Sequence, residues 1–140
     1  MNSSLIANQA EKYLNKPFVL GDTSKGFDCI SLLLDFFEGL GCQFPEEFEG
    51  ISRENYAAEY LCDPVKLNGI RERFLRSIGT PIEKNFFRRG DLLLFRDGLQ
   101  FFAAIDLGNG NMKALFSAGV HDVPFHLFEK WHIESRRLIE

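Results

Sequence analysis

Lys16-Pro-Phe-Val-Leu-Gly-Asp-Thr-Ser-Lys-Gly-Phe-Asp-Cys29 runs straight into an apolar stretch over residues 30–40, and the reading of the whole chain turns on that junction. Asp28 stands where a helix cap is wanted, because its carboxylate can accept the unpaired N–H groups of a first turn. Cys29, Leu32, Leu33, Phe36, Phe37 and Leu40 then recur at i, i+3, i+4, i+7, i+8 and i+11, the spacing of one apolar helical face, and Gly41 stops it. The face therefore begins with a thiol at a helix N-terminus, a place that favours thiolate over thiol. Cys29 is a candidate nucleophile. It reads equally well as a small hydrophobe at the head of a buried face.

Outward from this helix the pattern is helical first and stranded later. An N-terminal helix is expected over residues 4–15, with Ile6, Ala10, Tyr13 and Leu14 on one side and Pro17 beyond its end. A third helix is expected over 52–62. A fourth opens on the cap pair Asp63-Pro64 and runs to residue 78, before Gly79. After Pro81 the signal changes to short apolar runs at 92–95, 101–107 and 112–116. Gly108-Asn-Gly-Asn111 forms a hairpin turn between the last two, since its residues tolerate positive φ. Residues 120–125 and 133–139 complete the strands, with a short helical turn at 126–131. Helices followed by an antiparallel sheet of about five strands make an α+β fold.

The 140 residues carry a net charge of −4 and 45% apolar content, which fits one compact domain over 1–140. Lys and Arg form no stripe, so nucleic acid is not an expected partner. Anionic membrane surfaces are disfavoured for the same reason, and no run is long enough to span a bilayer. The N-terminus has neither a basic region nor a sustained apolar segment, which predicts synthesis in the cytosol without a signal peptide. Cys29, Cys42 and Cys62 are odd in number and lack metal-ligand spacing, so reduced thiols without a metal or other cofactor are expected. Fifteen phenylalanines against three tyrosines and one tryptophan predict an aromatic core, with Phe86-Phe87 and Phe101-Phe102 as candidates to line a cleft.

Three blocks resemble the NlpC family of papain-like cell-wall cysteine peptidases. Pro17-Phe-Val-Leu-Gly-Asp22 and Gly26-Phe-Asp-Cys-Ile-Ser-Leu32 are similar to its nucleophile block. Arg89-Gly-Asp-Leu-Leu-Leu-Phe95 is similar to the next landmark, and Phe102-Ala-Ala-Ile-Asp-Leu-Gly-Asn-Gly110 to the strand that carries the family's histidine. The tail, with Gly119, Leu127, Trp131 and Arg136-Arg137, resembles the branch found among phage-tail and phage-like peptidases. The resemblance implies a papain-like fold of helices packed on a sheet, and an ancestral cleavage of peptidoglycan stem peptides.

The same resemblance shows what is missing. A cysteine of pKa about 8.5 needs a neighbouring imidazole to take its proton and later to protonate the leaving amine. The position of the family's histidine is Phe102, which can do neither. The third polar residue falls at Ala114, and the tyrosine of the nucleophile block at Phe18. Asp22, Ile30 and Ser31 depart from the family's block and imply a reshaped groove, with Phe18, Asp22, Asp28 and Ser31 as candidate substrate contacts. Asp28 also reads plainly as a helix cap, Asp91 as the organiser of the turn before its strand, and Asp106 as a solvent-facing residue on an alternating strand. Among His121, His126 and His132, His121 is the best substitute base.

These readings lead to a domain whose catalytic site has degenerated, retained to bind a peptide, a cell-wall fragment or a protein partner. Two alternatives stay open. One is an active cysteine endopeptidase or amidase that uses Cys29 with a recruited base such as His121. The other is a structural component of a phage-like tail assembly, which would also deliver the chain out of the cytosol.

Overall fold

A computed structural model describes residues 3–13, 16–17, 29–83, 86–98, 100–116 and 119–139, with backbone alone at Cys29, Leu115 and Phe116. Four helices come first: α1 (Ser3–Glu11), α2 (Cys29–Gly39), α3 (Tyr56–Cys62) and α4 (Pro64–Leu75). A two-stranded hairpin, β1 (Glu47–Phe48) and β2 (Ile51–Ser52), lies between α2 and α3. The remaining strands are β3 (Thr80–Ile82), β4 (Leu92–Asp97), β5 (Gln100–Gly108), β6 (Asn111–Phe116), β7 (Gly119–Pro124) and β8 (His132–Arg137). They form one antiparallel sheet in the order β3-β8-β4-β5-β6-β7. The α+β architecture expected from the pattern change at Pro81 is therefore present, with six strands in the main sheet.

The sheet is covered on both faces, and period-two alternation sorts its residues between them. Leu92 and Leu94 of β4, Phe101, Ala103 and Ile105 of β5, and Val120 of β7 join the core that holds Leu32, Leu33, Phe36 and Phe37 of α2 and Leu67 and Leu75 of α4. Leu93, Phe95, Ala104, Met112 and Ala114 form a second core with Phe125, flanked by Phe87, Phe102, Phe128 and Trp131. The four residues Leu92-Leu-Leu-Phe95 are fully buried, which is why that run has no polar alternation. Phe36 and Phe37 are also wholly buried and meet edge to face with centroids 4.9 Å apart. Each ring removed from water on this scale contributes about 2–3 kcal/mol.

Differences from the expected elements have local causes. The first helix ends at Glu11 and closes in turns that bond Lys12 N–H to Gln9 and Tyr13 N–H to Ala10. The third begins at Tyr56 because residues 52–55 form a turn of their own: Asn55 Oδ1 accepts the Ser52 N–H at 2.8 Å and Ser52 Oγ accepts the Asn55 N–H at 3.3 Å. The fourth stops at Leu75, and its start is capped as expected, Asp63 Oδ1 accepting the Lys66 N–H at 3.1 Å with Pro64 in the first turn. Two 3-10 turns, Phe125–Leu127 and Glu129–Trp131, stand where one helical turn was expected. No helix among the described residues is long and apolar enough to cross a membrane.

Candidate functional site

Cys29 is the first residue of α2, as the apolar spacing requires. Phe18, Asp22 and Asp28 lie outside the described residues. The helix presents two faces. Leu32, Leu33, Phe36 and Phe37 are buried in the core that α2 shares with the sheet, while Ile30, Ser31, Leu34 and Asp35 line a cavity of about 190 Å³. The hairpin β1–β2, α3 and α4 form the rest of its wall, through Phe44, Phe48, Ile51, Tyr56, Ile70 and Phe74 among others. Ser31, the candidate substrate contact that falls among the described residues, lines this cavity.

Polar groups fix the cavity's edges. Asp35 accepts the Tyr13 hydroxyl at 2.5 Å, and Gln9 Nε2 donates to that same hydroxyl at 3.0 Å, so α1 is tied to α2 beside the opening. Burial first, and then the Asp35 carboxylate, push the Tyr13 hydroxyl far above the usual phenol range. Arg71 reaches from α4 to donate Nη2 to the Phe101 carbonyl at 2.8 Å, with its guanidinium 6.0 Å from the Phe101 ring. The cavity is thereby anchored to the start of β5.

Phe102 belongs to the second core. Its ring stacks on Phe95, centroids 4.8 Å apart and planes 5° from parallel, and meets Phe128 edge to face at 6.1 Å. Ala114 is buried, paired with Ala104 on one side and with His121 on the other. Directly paired residues share a sheet face, so Ala104, Ala114 and His121 make a row across β5, β6 and β7, on the face that also carries Phe102. His121 itself is exposed. His126 is exposed at the following turn, and His132 is half-buried beneath the rings of Phe87, Phe95 and Phe125, its Nε2 2.8 Å from Ser135 Oγ.

Two expectations about the site are corrected. The cleft beside α2 is lined by Phe44, Phe48 and Phe74, whereas Phe101 lies in the core between helices and sheet, Phe87 packs on Phe125 at 4.9 Å and Phe86 is exposed. Asp106 is 3% exposed instead of solvent-facing, because both faces of β5 are covered. Burial pushes its carboxyl up from the ordinary value; the Gly108 N–H lowers it, the nearby Asp91 raises it and Arg89 lowers it. Asp91 organises its turn as expected: Oδ2 accepts the Arg88 N–H at 2.7 Å, and both carboxylate oxygens are held by Arg137, at 3.0 and 2.8 Å.

Arg71, the Tyr13–Asp35 pair and the aromatic lining at 44, 48 and 74 were not legible as a site. The signal was present in Phe44-Pro-Glu-Glu-Phe-Glu-Gly-Ile51, where apolar residues interrupted by glutamates mark a segment with one face turned inward. Among the described residues no group of three or more His, Cys, Asp or Glu could hold a metal ion.

The fold and the order of these elements can be set against known proteins. The model of the NlpC/P60 family matches residues 15–124. The NlpC/p60 domain of the peptidoglycan hydrolase SagA superposes with a TM-score of 0.64 at 20% identity, covering 98% of this chain and 99% of that one. An NlpC/P60 family protein from Bacillus cereus ATCC 10987 gives 0.70 at 19% identity, over 100% of this chain but 41% of that one, so the chain spans about two fifths of its length. RipD from Mycobacterium tuberculosis, a non-catalytic NlpC/p60 domain protein adapted to peptidoglycan binding, gives 0.64 at 15% identity over 98% and 97%. No curated protein matches by sequence. The matched segment takes in α2 with Cys29 at its head and the meander from β4 to β7, and the chain belongs to the NlpC/P60 family.

Proposed function

We propose that this is an NlpC/P60 domain without peptidase activity, retained to bind a peptide or cell-wall fragment through the cleft beside α2. The observation that carries the reading is the composition of β5 where the family's histidine falls. Gln100, Phe101, Phe102, Ala103, Ala104 and Ile105 offer no general base on either face of the strand, so a shift of one residue in register changes nothing. At Phe102 the side chain is also committed to packing, stacked on Phe95 and abutting Phe128. Ala114 leaves the third polar position empty of function as well. With no imidazole at position 102, the thiol of Cys29 loses both its proton acceptor and the cation that would stabilise its thiolate. The fold likeness to RipD, itself a non-catalytic peptidoglycan-binding protein, is consistent with binding outlasting chemistry in such a domain.

The test is incubation of the purified protein with defined peptidoglycan stem peptides across pH 5–9, read by mass spectrometry beside Cys29→Ala and His121→Ala variants. The expected result is no cleavage by any of the three, together with measurable binding of a peptide or muropeptide ligand. Cleavage that disappears in Cys29→Ala would sink the proposal. If it disappeared in His121→Ala too, the recruited base would be identified.

A further inference from the structure

No further inference is drawn: the strongest candidate, the apolar cavity beside α2, has two carboxylates, Asp35 and Glu46, and two guanidinium groups, Arg53 and Arg71, among its described lining residues, and nothing in the structure shows what occupies it.

Discussion

Asp106 shows how one side chain registers the closure of both sheet faces. Its carboxyl is buried, and its Oδ1 accepts the Gly108 N–H at 3.2 Å. With its folded pKa raised above the ordinary 3.8, the folded protein holds the Asp106 proton more tightly than the unfolded chain. Stability from this group is therefore full in acid below the unfolded pKa and is lost as pH rises through the folded one. Asp106→Asn keeps the acceptor and removes the charge. It should leave stability nearly unchanged at pH 3 and raise it at pH 7, measured by urea unfolding at both. A variant that is less stable than the parent at pH 7 would show the carboxylate to be held by compensating partners. The alternation of apolar residues around Asp106 pointed outward because period two reports which residues share a face, and says nothing of whether that face is wet. That residue 102 is a phenylalanine, with no group to accept a proton, was legible without structure, since it rests on residue type alone. The stacking of that ring on Phe95 was not, because cross-strand register was needed to bring the two together.

At the scale of elements, legibility followed length and local punctuation. The α2 face and the hairpin at Gly108-Asn-Gly-Asn111 carried strong signals, with φ of 81°, 56° and 80° at the first three positions of that turn. The strand β3 was missed because it is three residues long and contains Pro81, which suits an edge strand but gives no alternation to read. The hairpin β1–β2 was missed because each strand has two residues and its turn is Glu49-Gly50, with φ of 50° and 82°. Glutamate in the left-handed region is uncommon, so the sequence does not advertise the turn. An exposed ion pair, Arg73 with Glu49 at 2.7 Å, links that hairpin to α4 and holds the Glu49 carboxyl below its ordinary range. The cavity wall thus depends on short elements held by their neighbours. Its most local support is the Asp63 cap at the start of α4. Asp63→Ala removes the acceptor for the Lys66 N–H and should cost about 1 kcal/mol in urea unfolding, with Asp63→Asn close to neutral. A loss below about 0.3 kcal/mol would mean that water caps the helix as well as the carboxylate does.

Across the whole molecule, the helical half and the sheet are joined by polar ties at the margins of the apolar cores. Arg136 donates to the carbonyls of Ile78 and Gly79, fixing the segment after α4 to β8. Arg89 donates to the Leu107 carbonyl at 2.7 Å and to Ser3 Oγ at 2.8 Å, joining the end of β5 to the first turn of α1. Asp91 is the centre of this system. Its side chain binds the Arg88 N–H and the Arg137 guanidinium, and its carbonyl accepts the Asp106 N–H at 2.9 Å, so the loop before β4, the strand β8 and the strand β5 meet at one buried residue. Removing one partner of a buried pair costs more than the pair contributes, because the other charge is left without its counterpart. Arg137 retains 21% side-chain exposure and water can partly compensate, which places the expected cost of Asp91→Ala at about 2–4 kcal/mol. Asp91→Asn keeps an acceptor for the Arg88 N–H and should cost less. Because the Asp91 charge is among the groups that raise the Asp106 carboxyl, the two sites are coupled. At pH 7 the stabilisation from Asp106→Asn should be smaller in an Asp91→Asn background than in the parent, a non-additivity readable in a double-mutant cycle by urea unfolding. Strict additivity would mean that the Asp91 charge has no part in setting the Asp106 proton affinity, and that the loop before β4 and the strands β5 and β8 are joined there by hydrogen bonds without electrostatic coupling between the two carboxyls.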